Sequence, residues 1–207
     1  MKVTASRILP GILAMAAVVV ASNILVQHLL GDWLTWGALT YPVAFLVTDI
    51  MNRVYGPQAA RKVVLAGFLT GAACSVVAAG LDKTTLRIAI ASGAAFLSAQ
   101  LLDITVFNRL RRTNWWLPPL AATVAGSILD TVIFFTIAFS TALIPLFPHD
   151  DVAWANEIVP LLGVGKDLPL WVSLALADWS VKMAQAIVAL IPFRIIVGNM
   201  IERRAQI

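Results

Sequence analysis

Four aspartates and a lysine stand inside otherwise apolar stretches: Asp49, Asp103, Asp130, Asp178 and Lys182. Polar neighbours accompany them, namely Asn23, Gln27 and His28, then Asn52, Gln100, Asn108 and Gln185. Asp49 and Asn52 are three residues apart, as are Gln100 and Asp103, so on a helix each pair projects from one side. Asp178 precedes Lys182 by four residues, the better order for a helical ion pair, and Gln185 extends that stripe. Carboxylates and amides on facing helices can hold a polar solute, pass a proton, or fix how the helices sit. The plainer readings stand beside these. Asp178 and Lys182 make a structural pair, Asp103 makes an interfacial ion pair with Arg109 or Arg111, and Asn108 bonds a helix end. Asp49 and Asp130 have no opposite charge within a turn or two on their own helices, apart from Arg53 four residues after Asp49. Those two carry the functional reading best.

The elements that position these residues are membrane spans. Of 207 residues, 60% are hydrophobic and 13% charged, against about 45–50% and about 25% in ordinary soluble domains. The excess falls in blocks long enough to cross a hydrocarbon layer of roughly 30 Å at about 1.5 Å per residue. The sequence predicts an all-α polytopic membrane protein, one transmembrane domain over residues 1–207. Its six spans lie at about 8–30, 36–55, 62–81, 86–108, 116–146 and 168–198. The run from Ile8 is too long for a secretory signal's apolar region of about 7–15 residues, so it is expected to stay as the first span. A charge at the centre of an inserted helix costs about 2.5–3.5 kcal/mol even on the mildest scale. The intramembrane charges must therefore face the bundle interior, pair with one another, or line water.

Basic residues set the orientation, because cytoplasmic loops hold the excess of Lys and Arg. Lys2 and Arg7, then Arg53, Arg61 and Lys62, then Arg109, Arg111 and Arg112, and finally Arg194, Arg203 and Arg204 gather on one side. Lys83, Arg87 and Lys166 lie on the other, among acids. Both termini are expected in the cytoplasm. Trp33, Trp36, Trp115, Trp116 and Trp171 fall near span ends, where such rings favour the headgroup layer.

Several functions are disfavoured. The net charge of +4 is scattered through short loops rather than along one face, which argues against nucleic acid. No HExxH zinc motif, GxSxG elbow or phosphate-binding glycine loop occurs, so neither an enzyme nor an ATPase is expected. His149 beside Asp150 and Asp151 lacks the spacing of a zinc site and reads as a solvated loop; no metal or cofactor is expected. Cys74 reads as a packing residue. Gly67 and Gly71, four apart, make either a homodimer face or a close contact inside the monomer. Gln100-Leu-Leu-Asp103 is echoed by Ser127-Ile-Leu-Asp130 in the next span, as in the inverted repeats of transporters or through shared membrane composition.

Together these residues resemble the queuosine precursor transporter family, once described as vitamin uptake transporters. The resemblance runs through Ala21-Ser-Asn-Ile-Leu-Val-Gln27 and Trp36-Gly-Ala-Leu-Thr-Tyr-Pro-Val-Ala-Phe-Leu-Val-Thr-Asp49, with Arg53, Gly56 and Arg61-Lys62 after it. It continues through residues 99–111, Trp115-Trp116, Gly126, Asp130, Phe134-Phe135 and the pair Asp178 and Lys182. It implies a bacterial inner-membrane importer of 7-deazaguanine bases, cyano or aminomethyl, that feed transfer-RNA modification, with the bilayer and a small solute as partners. A substrate-capture subunit served by a separate energising module is the alternative. A guanine-like base offers N1–H and an exocyclic amine side by side, which one carboxylate can accept together. The resemblance therefore suggests Asp49 or Asp130 as the base-binding carboxylate, with Asn23, Gln27 and Gln100 as amide partners. Tyr41, Phe45, Phe134 or Trp179 would stack on the base. Asp178, Lys182, Asp103 and Arg53 are expected to gate or couple the movement.

Overall fold

The computed structural model describes residues 5–205. Helix α1 covers Ala5–Leu25, and a two-residue hairpin of β1 (Leu29–Leu30) and β2 (Leu34–Thr35) follows it. Then come α2 (Trp36–Thr40), α3 (Val43–Tyr55), α4 (Pro57–Gly80), α5 (Leu86–Leu110) and α6 (Leu117–Phe139). A second antiparallel hairpin, β3 (Ile158–Pro160) with β4 (Asp167–Pro169), precedes α7 (Leu170–Val188) and α8 (Leu190–Ala205).

Four helices are long and apolar enough to cross a membrane: α1, α4, α5 and α6. Helices α7 and α8, bent by 41°, make a fifth crossing if counted together. This is an all-α membrane protein. Of the four, α5 has the lowest mean hydropathy, 1.5 against 1.9 to 2.2 for the others, and the largest buried share. Low hydropathy and burial belong together here, because α5 carries Gln100 and Asp103 and turns them away from lipid. Its longest partnership is the antiparallel hairpin with α6; α7 packs on the other side of α6, and α4 on α5. Helix α3 sits in the middle, touching α1, α4, α5, α6 and α8. It runs parallel to α5, since Thr48 meets Gln100, Asn52 meets Ile104 and Arg53 meets Arg111. The chain turns from α3 into α4 at Gly56, whose φ of +89° suits glycine alone, and Pro57 opens α4 without wasting a helical donor.

Several expected spans end elsewhere. The first stops at Leu25, so Gln27 and His28 lie in the turn before β1. The second is broken at Tyr41 and Pro42, whose ring nitrogen cannot donate to the preceding turn. The third begins at Pro57, which puts Arg61 and Lys62 inside its first turns rather than before it. The fifth leaves the α-helix at Ser140 and continues as a 3-10 segment over Thr141–Leu146. The sixth is split at Ala189 because Pro192 offers no N–H to the carbonyl of Val188. The segment after α6 is not wholly solvated: His149 is exposed, but Val152 and Ala155 are buried, and Asn156 donates to the Phe139 carbonyl at 2.9 Å. Among the basic residues of the orientation argument, Lys2 and the side chains of Arg203 and Arg204 lie outside the described part.

Two close approaches show why small residues matter. A Cβ on Gly126 would lie 2.7 Å from Phe45 and 3.2 Å from the Ala99 carbonyl, so glycine lets α3, α5 and α6 meet. One on Gly67 would lie 2.6 Å from Met15, so this face of α4 is used against α1 within the monomer.

Arg87, expected among loop charges, is fully buried. Its Nε donates to the Ile137 carbonyl at 2.7 Å and its Nη2 to the Ser140 carbonyl at 2.6 Å, closing the C-terminus of α6. Phe147 covers the guanidinium, with its ring centre 5.6 Å away. Each such charge-assisted bond contributes about 1.5–3 kcal/mol. Arg87→Met is expected to lower the unfolding midpoint of the purified protein in detergent by several degrees, with Arg87→Lys intermediate; an unchanged midpoint would remove the capping role.

Candidate functional site

The polar side chains of the interior fall into two tiers along α6. In the first, Lys182 on α7 reaches across to Asp130 on α6 at 2.6 Å and back to Asp178 on its own helix at 2.5 Å. Thr131 joins them, donating to Asp178 at 3.1 Å and lying 3.2 Å from the Lys182 ammonium. Tyr41, at the break between α2 and α3, donates its hydroxyl to the second oxygen of Asp130 at 3.1 Å. The lysine and Asp130 side chains are 4% exposed and Asp178 is 17% exposed, so the charges neutralise one another rather than being hydrated. Each Asp130 oxygen has a donor. This tier ties α2, α6 and α7 together.

The second tier lies seven residues back along α6, about 10 Å at 1.5 Å per residue. Thr123 donates to Oδ2 of Asp49 at 3.3 Å. Asp49 on α3 and Asp103 on α5 are both buried along one seam, beside the contacts of Thr48 with Gln100 and of Asn52 with Ile104. Thr48 donates to the Gln100 amide oxygen at 2.6 Å, and the Asn52 amide to the Ile104 carbonyl at 3.4 Å, so α3 and α5 are laced along one seam. Several fully buried groups on this seam have no partner: Oδ1 of Asp49, both oxygens of Asp103, the amide nitrogen of Gln100 and the hydroxyl of Ser127. Native interiors rarely leave such groups unmatched. Asp49 also lines a cavity of about 40 Å³ with Phe45, Pro42, Thr123, Gln185 and Ala189.

Below both tiers, the basic end of the seam is closed. Arg53 donates to the Arg111 carbonyl at 2.9 Å, and Arg111 bonds the Asn52 carbonyl and side chain and reaches the Arg53 carbonyl. Burial, and then the charge of Arg53, draws the Arg111 guanidinium below its ordinary pKa.

The family model described as "Putative vitamin uptake transporter" matches residues 35–197. The chain belongs to that family. It is 32% identical over 90% of its length to the "Queuosine precursor transporter" of Escherichia coli K12, of which it spans 84%. It is 32% identical over 83% of its length to the "Probable queuosine precursor transporter" of Haemophilus influenzae, spanning 72% of it. A Bacillus subtilis protein of the same description is 31% identical over 59% of the chain. No solved structure matches the chain significantly.

Both tiers lie inside the region that defines the family. Asn23 and Gln27 precede it: Asn23 donates to the Val19 carbonyl of its own helix at 2.9 Å, Gln27 is exposed, and neither lines the cavity. Phe45 meets the cavity beside Asp49, whereas Phe134 packs against Phe135 and Phe139 near the α6 terminus. Asp103 forms no ion pair with Arg109 or Arg111, because Arg109 is exposed and Arg111 bonds Asn52 and backbone carbonyls. Arg53 likewise turns to a carbonyl rather than to Asp49. Tyr41 is engaged as a donor, and its ring edge meets Phe96 at 6.1 Å. The hydroxyls of Thr48, Thr123 and Thr131 are part of the site but drew no notice in the sequence. Thr48 and Thr131 each adjoin an intramembrane aspartate in the chain, whereas Thr123 meets Asp49 only through the fold.

Removing one member of a buried charge cluster leaves the rest uncompensated, at a cost of about 3–5 kcal/mol. Lys182→Met is expected to lose that much stability in a detergent unfolding titration. The combination Lys182→Met, Asp130→Asn and Asp178→Asn should recover a good part of it, having no charge left to strand. A single variant as stable as the parent would show that the cluster is not an ionic lock.

Proposed function

We propose that this chain imports 7-deazaguanine precursors of queuosine across the bacterial inner membrane, and that Asp49 is the carboxylate that receives the base. The observation that carries the assignment is Oδ1 of Asp49: buried, without a donor, and on the wall of a cavity shared with the Phe45 ring. A guanine-like edge supplies two adjacent N–H donors for that carboxylate, and a flat face for Phe45. The Gln100 amide, which has a nitrogen to donate, suits the carbonyl of the base. A purine without those donors would leave Asp49 buried and unsatisfied, which disfavours it by about 1–3 kcal/mol. Asp130 takes the other role. With both oxygens occupied it belongs to the Asp178 and Lys182 lock, which holds α2, α6 and α7 in one arrangement and gates their movement.

The cavity holds a water or two rather than a base. Entry of the base therefore requires the walls to part, and two of those walls are helix breaks, at Pro42 and at Ala189. In this reading α2 and α3 together form one broken crossing, giving six in all, with both termini in the cytoplasm.

Thermal unfolding of the purified protein with cyano- or aminomethyl-7-deazaguanine tests the assignment, guanine and adenine serving as comparisons. A ligand at 100 times its dissociation constant adds about 2.7 kcal/mol to the folded state. Stabilisation by the deazaguanines but not by adenine is expected, and Asp49→Asn should abolish it while remaining folded. No stabilisation of the folded parent protein would sink the assignment. The topology has its own check: a reporter active only in the cytoplasm, fused after Ile207, should be active, and a silent fusion that is nonetheless inserted would reverse the orientation.

A further inference from the structure

Every basic side chain whose contacts are described is engaged or placed away from the Asp49 and Asp103 pair. On α7, Lys182 is held by Asp130 and Asp178. Arg53 on α3 and Arg111 after α5 bond carbonyls and Asn52, and Arg87 at the far end of α5 closes α6. Arg109 on α5 and Arg61 and Lys62 on α4 are exposed, Arg194 on α8 lies over Trp115 with 4.7 Å to the ring centre, and Arg7 on α1 is exposed. The acids of the packed helices are Asp130 and Asp178, both in the lock, and exposed Glu202 on α8. Tyr41 donates to Asp130. Among the described residues, no ion pair reaches either carboxylate of the second tier.

The two acids differ. Asp49 has one donor, Thr123, and faces the cavity. Asp103 is fully buried, is not among the cavity's lining residues, and neither of its oxygens meets a donor. One turn before it on the same face, the fully buried Gln100 offers an amide nitrogen without an acceptor, while Thr48, the neighbour of Asp49, holds its oxygen. Two buried carboxylates on one seam, out of water and without a cation, repel strongly unless one of them holds a proton.

We propose that Asp103 works as a neutral acid whose proton is hydrogen-bonded to Asp49, holding Asp49 as the charged acceptor of the base. This rests on the reading of Asp49 as the base-binding carboxylate. Asp103 is then a positioning residue that acts through Asp49. Its O–H supplies one donor, Thr123 a second, and the two N–H groups of the base a third and fourth, which fills the roughly four acceptor positions of a carboxylate. The proton remains on Asp103 throughout binding, so no bond is broken. At low pH a second proton neutralises Asp49. Binding of the base must then expel that proton, and affinity falls.

Infrared spectroscopy of the purified protein with ¹³C-labelled aspartate, joined to titration calorimetry with cyano-7-deazaguanine, tests this. A carboxylic-acid C=O band is expected at neutral pH, absent from Asp103→Asn and retained by Asp49→Asn. Asp103→Asn, which keeps a neutral N–H donor, is expected to bind within about threefold of the parent protein, whereas Asp103→Leu should weaken binding by about tenfold or more. In buffers of different ionisation heat, the parent protein should release up to one proton per base as pH is lowered. No acid band at neutral pH overturns the proposal, as does Asp103→Asn losing binding as fully as Asp49→Asn. Should Asp103→Asn fail to fold, the band in Asp49→Asn decides: its presence assigns the proton to Asp103, its absence removes it. If the base does not bind the folded parent protein, the assignment of Asp49 to the base fails, while the band still reports on the shared proton.

Discussion

The ammonium of Lys182 sits where no water reaches it, and the arrangement of the interior follows from satisfying it. Moving such a charge out of water costs several kcal/mol, recovered only when partners surround it closely. One partner, Asp178, is supplied by α7 itself; the others, Asp130 and Thr131, belong to α6, so the two helices are fixed in rotation and in height. Tyr41 then donates to the remaining oxygen of Asp130 and ties the break that Pro42 makes before α3 to the lock. That break sets the start of α3, and therefore puts Phe45 against Gly126 and Asp49 against Thr123. The lock around one buried cation and the second carboxylate site are thus joined through Tyr41 at the start of α3.

The two tiers use the same residue types for different purposes. In the first, three charges and two hydroxyls satisfy one another, which makes a lock that is stable when closed and costly to leave half open. In the second, acceptors outnumber donors. The difference lies in the partners, not in the aspartates: Lys182 reaches one tier, and among the described residues no ion pair reaches the other. Phe45, wedged on Gly126 between the tiers, keeps the two networks from merging and gives the lower one an apolar wall. A site meant to hold a polar, flat solute needs that combination of an unsatisfied polar edge and an aromatic face.

The sequence made much of this legible where the information was local. The pairing of Asp178 with Lys182 follows from a spacing of four, and the inward face of α5 from the spacing of Gln100 and Asp103. What spacing cannot show is a partner on another helix. Asp130 lies 52 residues before Lys182, so its ionic role was invisible and it read as a free acceptor equal to Asp49. The same limit misplaced Asp103: of its neighbours in the chain, Arg109 is exposed and Arg111 turns to carbonyls at the end of α3, groups that every helix leaves unsatisfied. Gln27 falls outside the helix because α1 ends at Leu25 and the chain turns into the β1–β2 hairpin, whose own turn holds Gly31 at a φ of +69°. The hairpin between α6 and α7 carries no strong pattern of its own; the segment before it is tied to the end of α6 through Asn156, and its tip to α7 through Leu162 and Ser173.

The cavity's position among helix discontinuities has a mechanical consequence. Pro42 stands at the start of α3, Pro119 in the first turn of α6, and Ala189 at the bend that Pro192 imposes between α7 and α8. At Pro42 and Pro192 an N–H that would tie one turn to the next is missing, so one helical hydrogen bond fewer resists a swing of the chain there. The paired helices α5 and α6 have their longest contact with each other and carry Asp103, Asp130 and Thr123 on rigid turns. Helices α3 and α8, which complete the cavity, are each joined to the preceding helix through such a break. Movement that admits a base is therefore cheapest when α3 and α8 shift against a fixed α5 and α6. That movement would shift Phe45 and Phe193 while leaving the α6 side of the cavity, Thr123, in place.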